Sequence, residues 1–75
     1  MVDKPLDRAA IALHMSIPRA DVTIAALRAA FETDGKTYSY DKTANIVVEA
    51  IKHPDKDDPD VRYAAEWLRS QKPAG

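Results

Sequence analysis

The sequence predicts an all-α domain built from four helices. Three observations carry this prediction. Apolar residues recur at helical spacing in four separate segments, prolines stand at the start of three of them, and glycine or proline follows the segment ends. Proline costs little in a first helical turn because its fixed φ suits the helix and its missing N–H would lack a partner there. The predicted helices span residues 5–15, 17–33, 42–52 and 59–71.

The first two helices are separated by a short turn. Pro5 begins the first helix, which is expected to run to about Met15. Ser16 is expected to cap the second helix by accepting a backbone N–H, with Pro18 in the first turn and Gly35 at the end. The second helix has apolar residues on two opposite faces. We therefore expect it to be the central helix, buried on both sides.

The third segment, "GKTYSYDKTANIVVEAIKHP", fits two structures. As a helix it is capped by Asp41 and ends before Pro54, and its apolar residues recur at helical spacing. As strands, Tyr38 and Tyr40 alternate with polar residues, and a β-hairpin at about residues 37–48 makes a winged helix-turn-helix. We favour the helix, and the hairpin is the alternative.

The acidic run "DKDDPD" is interpreted as the entrance to the fourth helix. Asp58 caps that helix and Pro59 takes its first position. A calcium loop that started at Asp55 would need an oxygen ligand at its fifth position and glycine at its sixth, where Pro59 and Asp60 stand. His53 nearby is one imidazole, far short of a zinc ligand set. The sequence therefore predicts no metal site.

The amino-acid composition argues against several classes of function. The chain of 75 residues has no cysteine, and its 11 basic and 12 acidic side chains give a net charge of −1. This balance counts against nucleic acid and acidic membranes as partners, and no stretch approaches the roughly 20 apolar residues of a membrane span. We expect one cytoplasmic domain over residues 1–75, with frayed termini at 1–3 and 72–75. No nucleophile–base pair or phosphate-binding glycine loop is present in the sequence, so we expect no catalysis and no cofactor.

Apolar residues on second helix faces predict a contact surface. In the fourth helix, Tyr63 and Trp67 lie opposite the main apolar stripe. Aromatic residues with polar tips are enriched at protein interfaces, and exposed apolar patches usually mark contacts. The sequence therefore predicts a protein-protein interaction module, small and regulatory in character, which forms an oligomer or binds another protein. The candidate partner-binding residues are Tyr63, Trp67, Ile11, Met15, Val22 and Ala26.

A helix-turn-helix or winged-helix DNA-binding regulator, of a kind that phages and mobile elements encode, is the alternative function. The first two helices and the turn between them are similar to this motif. His14 stands where glycine usually permits the turn, and Ala20 stands where a larger aliphatic residue usually packs. The second helix also lacks the basic face that phosphate contacts require. DNA is therefore the second candidate partner.

One stretch resembles a known repeat. "NIVVEAIKHPDKDDPDVRYAAEWL" resembles a single HEAT-type helical repeat, in which a helix ends at a Pro-Asp turn and a Val-Arg pair opens the next helix. Similar stretches occur toward the C-terminus of some phage small terminase subunits. The acidic turn is longer than in HEAT repeats, and a solenoid needs about three or more stacked units. The resemblance implies a helix, a turn and a helix over residues 45–68.

Overall fold

Prolines, capping side chains and residues in the left-handed backbone conformation determine where each helix begins and ends. The computed structural model of the protein describes residues 4–71, which form a single all-α domain with no strand in that range. The four-helix prediction is confirmed, and the alternative hairpin at 37–48 is wrong. The expected fraying of residues 1–3 and 72–75 lies outside the described residues. The helices are α1 (Pro5–Leu13), α2 (Ile17–Thr33), α3 (Tyr40–Lys52) and α4 (Pro59–Ser70).

The first helix is shorter than predicted because of His14. This residue has φ 56° and ψ 44°, the left-handed conformation that usually belongs to glycine at a helix end. Its N–H still donates to the carbonyls of Ala10 and Ile11, but its left-handed backbone ends α1 at Leu13 rather than at Met15. The chain then turns by 103° into α2. No single helix within residues 4–71 is long and apolar enough to cross a membrane, although α1 and α2 together meet that test across their bend.

The second helix has the predicted boundaries. Ser16 takes the extended conformation of an N-cap, but among the described residues its side chain accepts no capping hydrogen bond. At the other end Gly35 has φ 84°, and its N–H lies 2.9 Å from the Glu32 carbonyl oxygen. The N–H of Lys36 lies 2.8 Å from the Phe31 carbonyl oxygen, which completes a Schellman motif.

The third helix begins earlier than predicted because a different residue caps it. The Ser39 hydroxyl accepts the N–H of Lys42 at 3.1 Å. Asp41, the predicted cap, lies in the first turn, where its negative charge suits the positive end of the helix dipole. The helix therefore starts at Tyr40.

The acidic run is the entrance to α4, as interpreted from the sequence. The Asp58 carboxylate accepts the N–H groups of Asp60 and Val61, and Pro59 is the first helical residue. The helix ends at Ser70, and Gln71, its predicted last residue, is the C-cap. A helix, a turn and a helix therefore cover residues 45–68, as the HEAT-type resemblance implied.

The third helix, not the second, is central. It contacts α1, α2 and α4, while α1 also packs on α2. The prediction of a central α2 buried on both faces is wrong because α4 packs against α3 and leaves the outer face of α2 exposed. The buried apolar core consists of Ala9, Ile24, Leu27, Phe31, Ala44, Ile46, Val47, Ala50, Val61, Ala64 and Ala65.

Phe31 joins three parts of the fold. Its side chain is fully buried. Its ring centroid lies 5.0 Å from that of Tyr38 in an edge-to-face arrangement and 4.9 Å from that of Tyr63 in a tilted one. Pairs of this kind contribute about 0.5–1.5 kcal/mol each beyond their burial. Phe31 thus connects α2 with the α2–α3 loop and with α4.

We expect Phe31→Ala to lower the free energy of unfolding by about 3–5 kcal/mol, because it removes a large buried ring and both aromatic contacts. Ile11→Ala is the matched control. Ile11 is 61% exposed, so its truncation should change the free energy by about 0.5 kcal/mol or less. Urea unfolding followed by circular dichroism measures both values. Equal losses for the two variants would contradict the packing described for Phe31.

Candidate functional site

An apolar groove lies between α2 and the C-terminal half of α4, and the end of α1 contributes to its wall. It encloses about 200 Å³. Small-molecule sites usually enclose roughly 300–1,000 Å³, so the groove is better matched to a protruding side chain than to a cofactor. We call it the α2–α4 groove. Its lining residues are Leu13, Met15, Val22, Thr23, Ala26, Trp67, Leu68 and Gln71.

The groove forms because the contact that anchors α4 to α2 lies in the first half of α4. Tyr63 contacts Phe31 near the end of α2, whereas α4 as a whole packs on α3. Trp67 follows Tyr63 by one helical turn and therefore lies further along the same side of α4. There it is partly buried and borders the groove.

Four of the six predicted partner-binding residues line this one groove. Met15 comes from the turn after α1, Val22 and Ala26 from α2, and Trp67 from α4. Val22 is 68% exposed, a high value for a large aliphatic side chain. The fold thus brings together apolar side chains that are far apart in the sequence.

The other two predicted residues lie elsewhere. Ile11 is exposed on the side of α1 that faces away from the core. Tyr63 was expected on the surface opposite the apolar stripe, but it is partly buried because its ring packs on Phe31. Together with Trp67 it borders a shallow depression that also includes Glu66 and Ser70.

Sequence reasoning missed four lining residues. Leu13 and Leu68 are apolar residues of α1 and α4 that pack against the core, and their intermediate exposure places them at its edge. Thr23 and Gln71 are polar and gave no signal. A second shallow depression, lined by Pro18, Arg19, Val22 and Thr23, adjoins the groove.

The walls of the groove offer little hydrogen bonding. The Thr23 hydroxyl lies 2.9 Å from the carbonyl oxygen of Arg19, which takes its one proton, and 3.8 Å from the sulfur of Met15. The Gln71 amide and the indole N–H of Trp67 are the other polar groups of the described lining side chains, none of which is ionisable. The groove therefore favours apolar groups.

A polar cluster holds the start of α4 in place. The Asp60 carboxylate accepts from Lys36 Nζ at 2.8 Å and from the Tyr38 hydroxyl at 2.6 Å. Lys42 Nζ lies 4.4 Å from the centre of the Tyr38 ring, a cation–π contact. We call Lys36, Tyr38 and Asp60 the Asp60 clamp. It ties the α2–α3 loop to α4 and so helps to fix the helix that carries Trp67.

The clamp shifts the pKa of each member. Hydrogen bonds from Lys36 and then from Tyr38 hold the pKa of Asp60 below its usual value. The hydrogen bond to Asp60 raises the pKa of Lys36 and that of Tyr38. Separately, burial, aided by a hydrogen bond to Asp21, raises the pKa of Tyr40 to about 12.

The acidic run contributes caps and clamp contacts. Asp58 caps α4, Asp60 belongs to the clamp, and His53 is the exposed C-cap of α3. Across residues 4–71, no three histidine, aspartate or glutamate side chains are grouped so that they could hold a metal ion.

Comparison of the chain with known protein families, with curated proteins and with solved structures gives no match. The case for a functional site therefore rests on the α2–α4 groove itself. Its size, its apolar lining and the exposure of Val22 are the observations that carry it.

We expect the stabilising effect of the Asp60 clamp to disappear in acid. Because the folded state lowers the pKa of Asp60 from its ordinary 3.8, the contribution is fully present above that value and is lost as the pH falls through the folded pKa. Asp60→Asn should therefore lower the free energy of unfolding at neutral pH, and the difference from the natural chain should vanish in strong acid.

The matched control is Asp57→Asn, which changes an exposed carboxylate of the same acidic run. Urea unfolding at a series of pH values measures all three proteins. A difference for Asp60→Asn that stays constant from neutral pH to strong acid would contradict the clamp as described.

Proposed function

We propose that the protein is a non-enzymatic, cytoplasmic interaction module that binds an apolar segment of a protein in the α2–α4 groove. The observation that carries the proposal is the convergence of Met15, Val22, Ala26 and Trp67 on one groove. The sequence singled out these residues because they lie on second apolar faces of their helices. Apolar surface that stays exposed in a small domain usually marks a contact.

The chemistry of the groove suits an apolar anchor. Trp67 is partly buried at its border, and tryptophan is enriched among the residues that dominate binding energy at interfaces. A volume of about 200 Å³ suits one or two side chains presented by a helix, the usual mode of helix-in-groove recognition. An ordinary cofactor would be too large, and none of the lining side chains within residues 4–71 is ionisable and so able to transfer a proton.

A DNA-binding regulator is the second candidate, and two features of the turn between α1 and α2 favour it. The 103° turn between α1 and α2 falls within the roughly 90–120° of helix-turn-helix motifs, and His14 adopts the left-handed conformation usual for the glycine of that turn. The outer face of α2 argues against it. Its exposed residues include Val22 and Ala25, and Arg19 is the one cation in its first two turns. Binding of a labelled duplex that weakens steeply with salt would support this candidate instead.

We expect Ala26→Glu to abolish partner binding. Ala26 is exposed and lines the groove, so a glutamate there introduces a charge and extra volume without removing any core side chain. Asn45→Glu is the matched control, since it places the same charge at an exposed position of α3 that does not line the groove. Immobilised natural chain and the Asn45 variant should retain the same proteins from a cell extract, and the Ala26 variant should lose them.

The isolated partner then gives a direct readout. Trp67 is the one tryptophan in the chain, so the tryptophan fluorescence of the chain comes from a residue at the border of the groove. Addition of the partner should change that fluorescence in the natural chain and in the Asn45 variant. Equal retention by the Asn45 and Ala26 variants, or binding that leaves Trp67 unaffected, would rule out the groove as the binding site.

A further inference from the structure

The outer face of α2 is a second apolar surface, which no element within residues 4–71 covers. Pro18, Val22, Ala25 and Ala29 are all exposed and follow one another at intervals of four, three and four residues. This is the spacing of a coiled-coil seam, in which one stripe of a helix faces another helix. These residues lie on the opposite side of α2 from its buried residues Ala20, Ile24, Leu27 and Phe31. We call this stripe the α2 outer face.

Two opposite charges lie along one edge of this face. Asp21 and Arg28 are one heptad apart, so they occupy the same edge position beside the apolar stripe. Both side chains are exposed, and each is held by a hydrogen bond within the chain. The Tyr40 hydroxyl donates to Asp21, and Arg28 Nε donates to the Tyr38 carbonyl at 2.9 Å. One carboxylate oxygen and the terminal guanidinium N–H groups remain for another partner.

This charge pattern is self-complementary in one arrangement. Two antiparallel α2 helices related by a twofold axis perpendicular to both bring the same edge of each helix together. With the axis close to Ala25, Asp21 of each copy lies level with Arg28 of the other copy. Two equivalent ion pairs then flank a seam in which Val22 of each copy packs near Ala25 of the other. The small alanine side chains let the two helices approach closely.

The opposite orientation lacks this complementarity. In a parallel pair the twofold axis runs along the helices, and the Asp21 and Arg28 edge meets the other edge of the partner helix. That edge has Ala26 and Thr33 at the levels where interhelical pairs form. The charges therefore select the antiparallel arrangement.

We propose that the α2 outer face binds a second copy of this chain, antiparallel and twofold symmetric, through the Val22 seam and the Asp21–Arg28 ion pairs. The contact is short. A helix of 17 residues is about 26 Å long, and a single helix pair of that length buries less than a standard interface. The dimer therefore dissociates on dilution. It shares only Val22 with the lining of the α2–α4 groove, so its failure would leave the groove proposal untouched.

The test is charge reversal with complementation. Asp21→Arg gives a chain with two basic edge residues, and Arg28→Asp gives a chain with two acidic ones. Each variant should stay monomeric, because like charges meet across the axis. A mixture of the two should form a heterodimer, and the double variant with the charges exchanged should form a homodimer again. Light scattering from micromolar to millimolar concentration measures the masses, and circular dichroism confirms that each variant is folded.

If the charge-reversed variants fail to fold, two variants with neutral substitutions still test the proposal. Asp21→Asn and Arg28→Gln keep a polar group at each position, and each should weaken the dimer of the natural chain, with no recovery on mixing. High salt should weaken the natural dimer as well, since the flanking pairs are solvent-exposed.

Three results would overturn the proposal. The natural chain could remain monomeric at millimolar concentration. It could form a dimer that either single charge reversal leaves intact. The folded single variants could fail to associate when mixed, which would show that Asp21 and Arg28 do not face each other across the axis.

Discussion

The packing of Phe31 is the constraint on which the rest of the structure depends. A domain of this size buries only about 60% of the surface of its unfolded chain, and without cysteine it has no disulfide to supplement that burial. Phe31 is the largest fully buried side chain, and its contacts with Tyr38 and Tyr63 connect α2 to the following loop and to α4. The Asp60 clamp reinforces the same junction, because it joins that loop to the first turn of α4.

The functional surfaces follow from where this junction lies. It holds α4 near the end of α2, while the body of α4 packs on the central helix α3. The remainder of α2 is therefore uncovered on its outer side, where Val22 is exposed, and the space between α2 and the end of α4 is the groove that Trp67 borders. The packing of α4 on α3 thus leaves two adjoining apolar surfaces exposed. The groove suits a protruding side chain, and the outer face of α2 suits another helix.

Local sequence signals predicted the helices well. Pro5, Pro18 and Pro59 mark the observed starts to within one residue, and Asp58 caps α4 as expected. The errors have local causes. Nothing in the side chain of His14 requires the left-handed conformation that this residue adopts, so the apolar spacing alone predicts an α1 that is two residues too long. Ser39 and Asp41 are both good caps, and only the fold decides between them.

The arrangement of the helices could not be predicted from the same signals. Helical periodicity shows that α2 has two apolar faces, but it does not show which neighbour covers each face. The prediction that the core face of α2 is buried is correct. The prediction that its outer face is also buried is wrong, because α4 packs on α3 and the sequence does not show whether α4 packs on α2 or on α3. The same limit applies to the groove. Met15, Val22, Ala26 and Trp67 were selected as separate apolar residues, and their convergence depends on contacts between segments far apart in the chain.

The most direct test of this account is the solvent accessibility of the groove side chains with and without a bound protein partner. A soluble paramagnetic agent broadens the NMR signals of exposed groups. In the free chain it should strongly broaden the methyl signal of Ala26 and leave those of the buried Val47 sharp. In the complex, Ala26 and Trp67 should become protected while Ile11 stays accessible. Groove signals that are already protected in the free chain, or that stay accessible in the complex, would contradict the account.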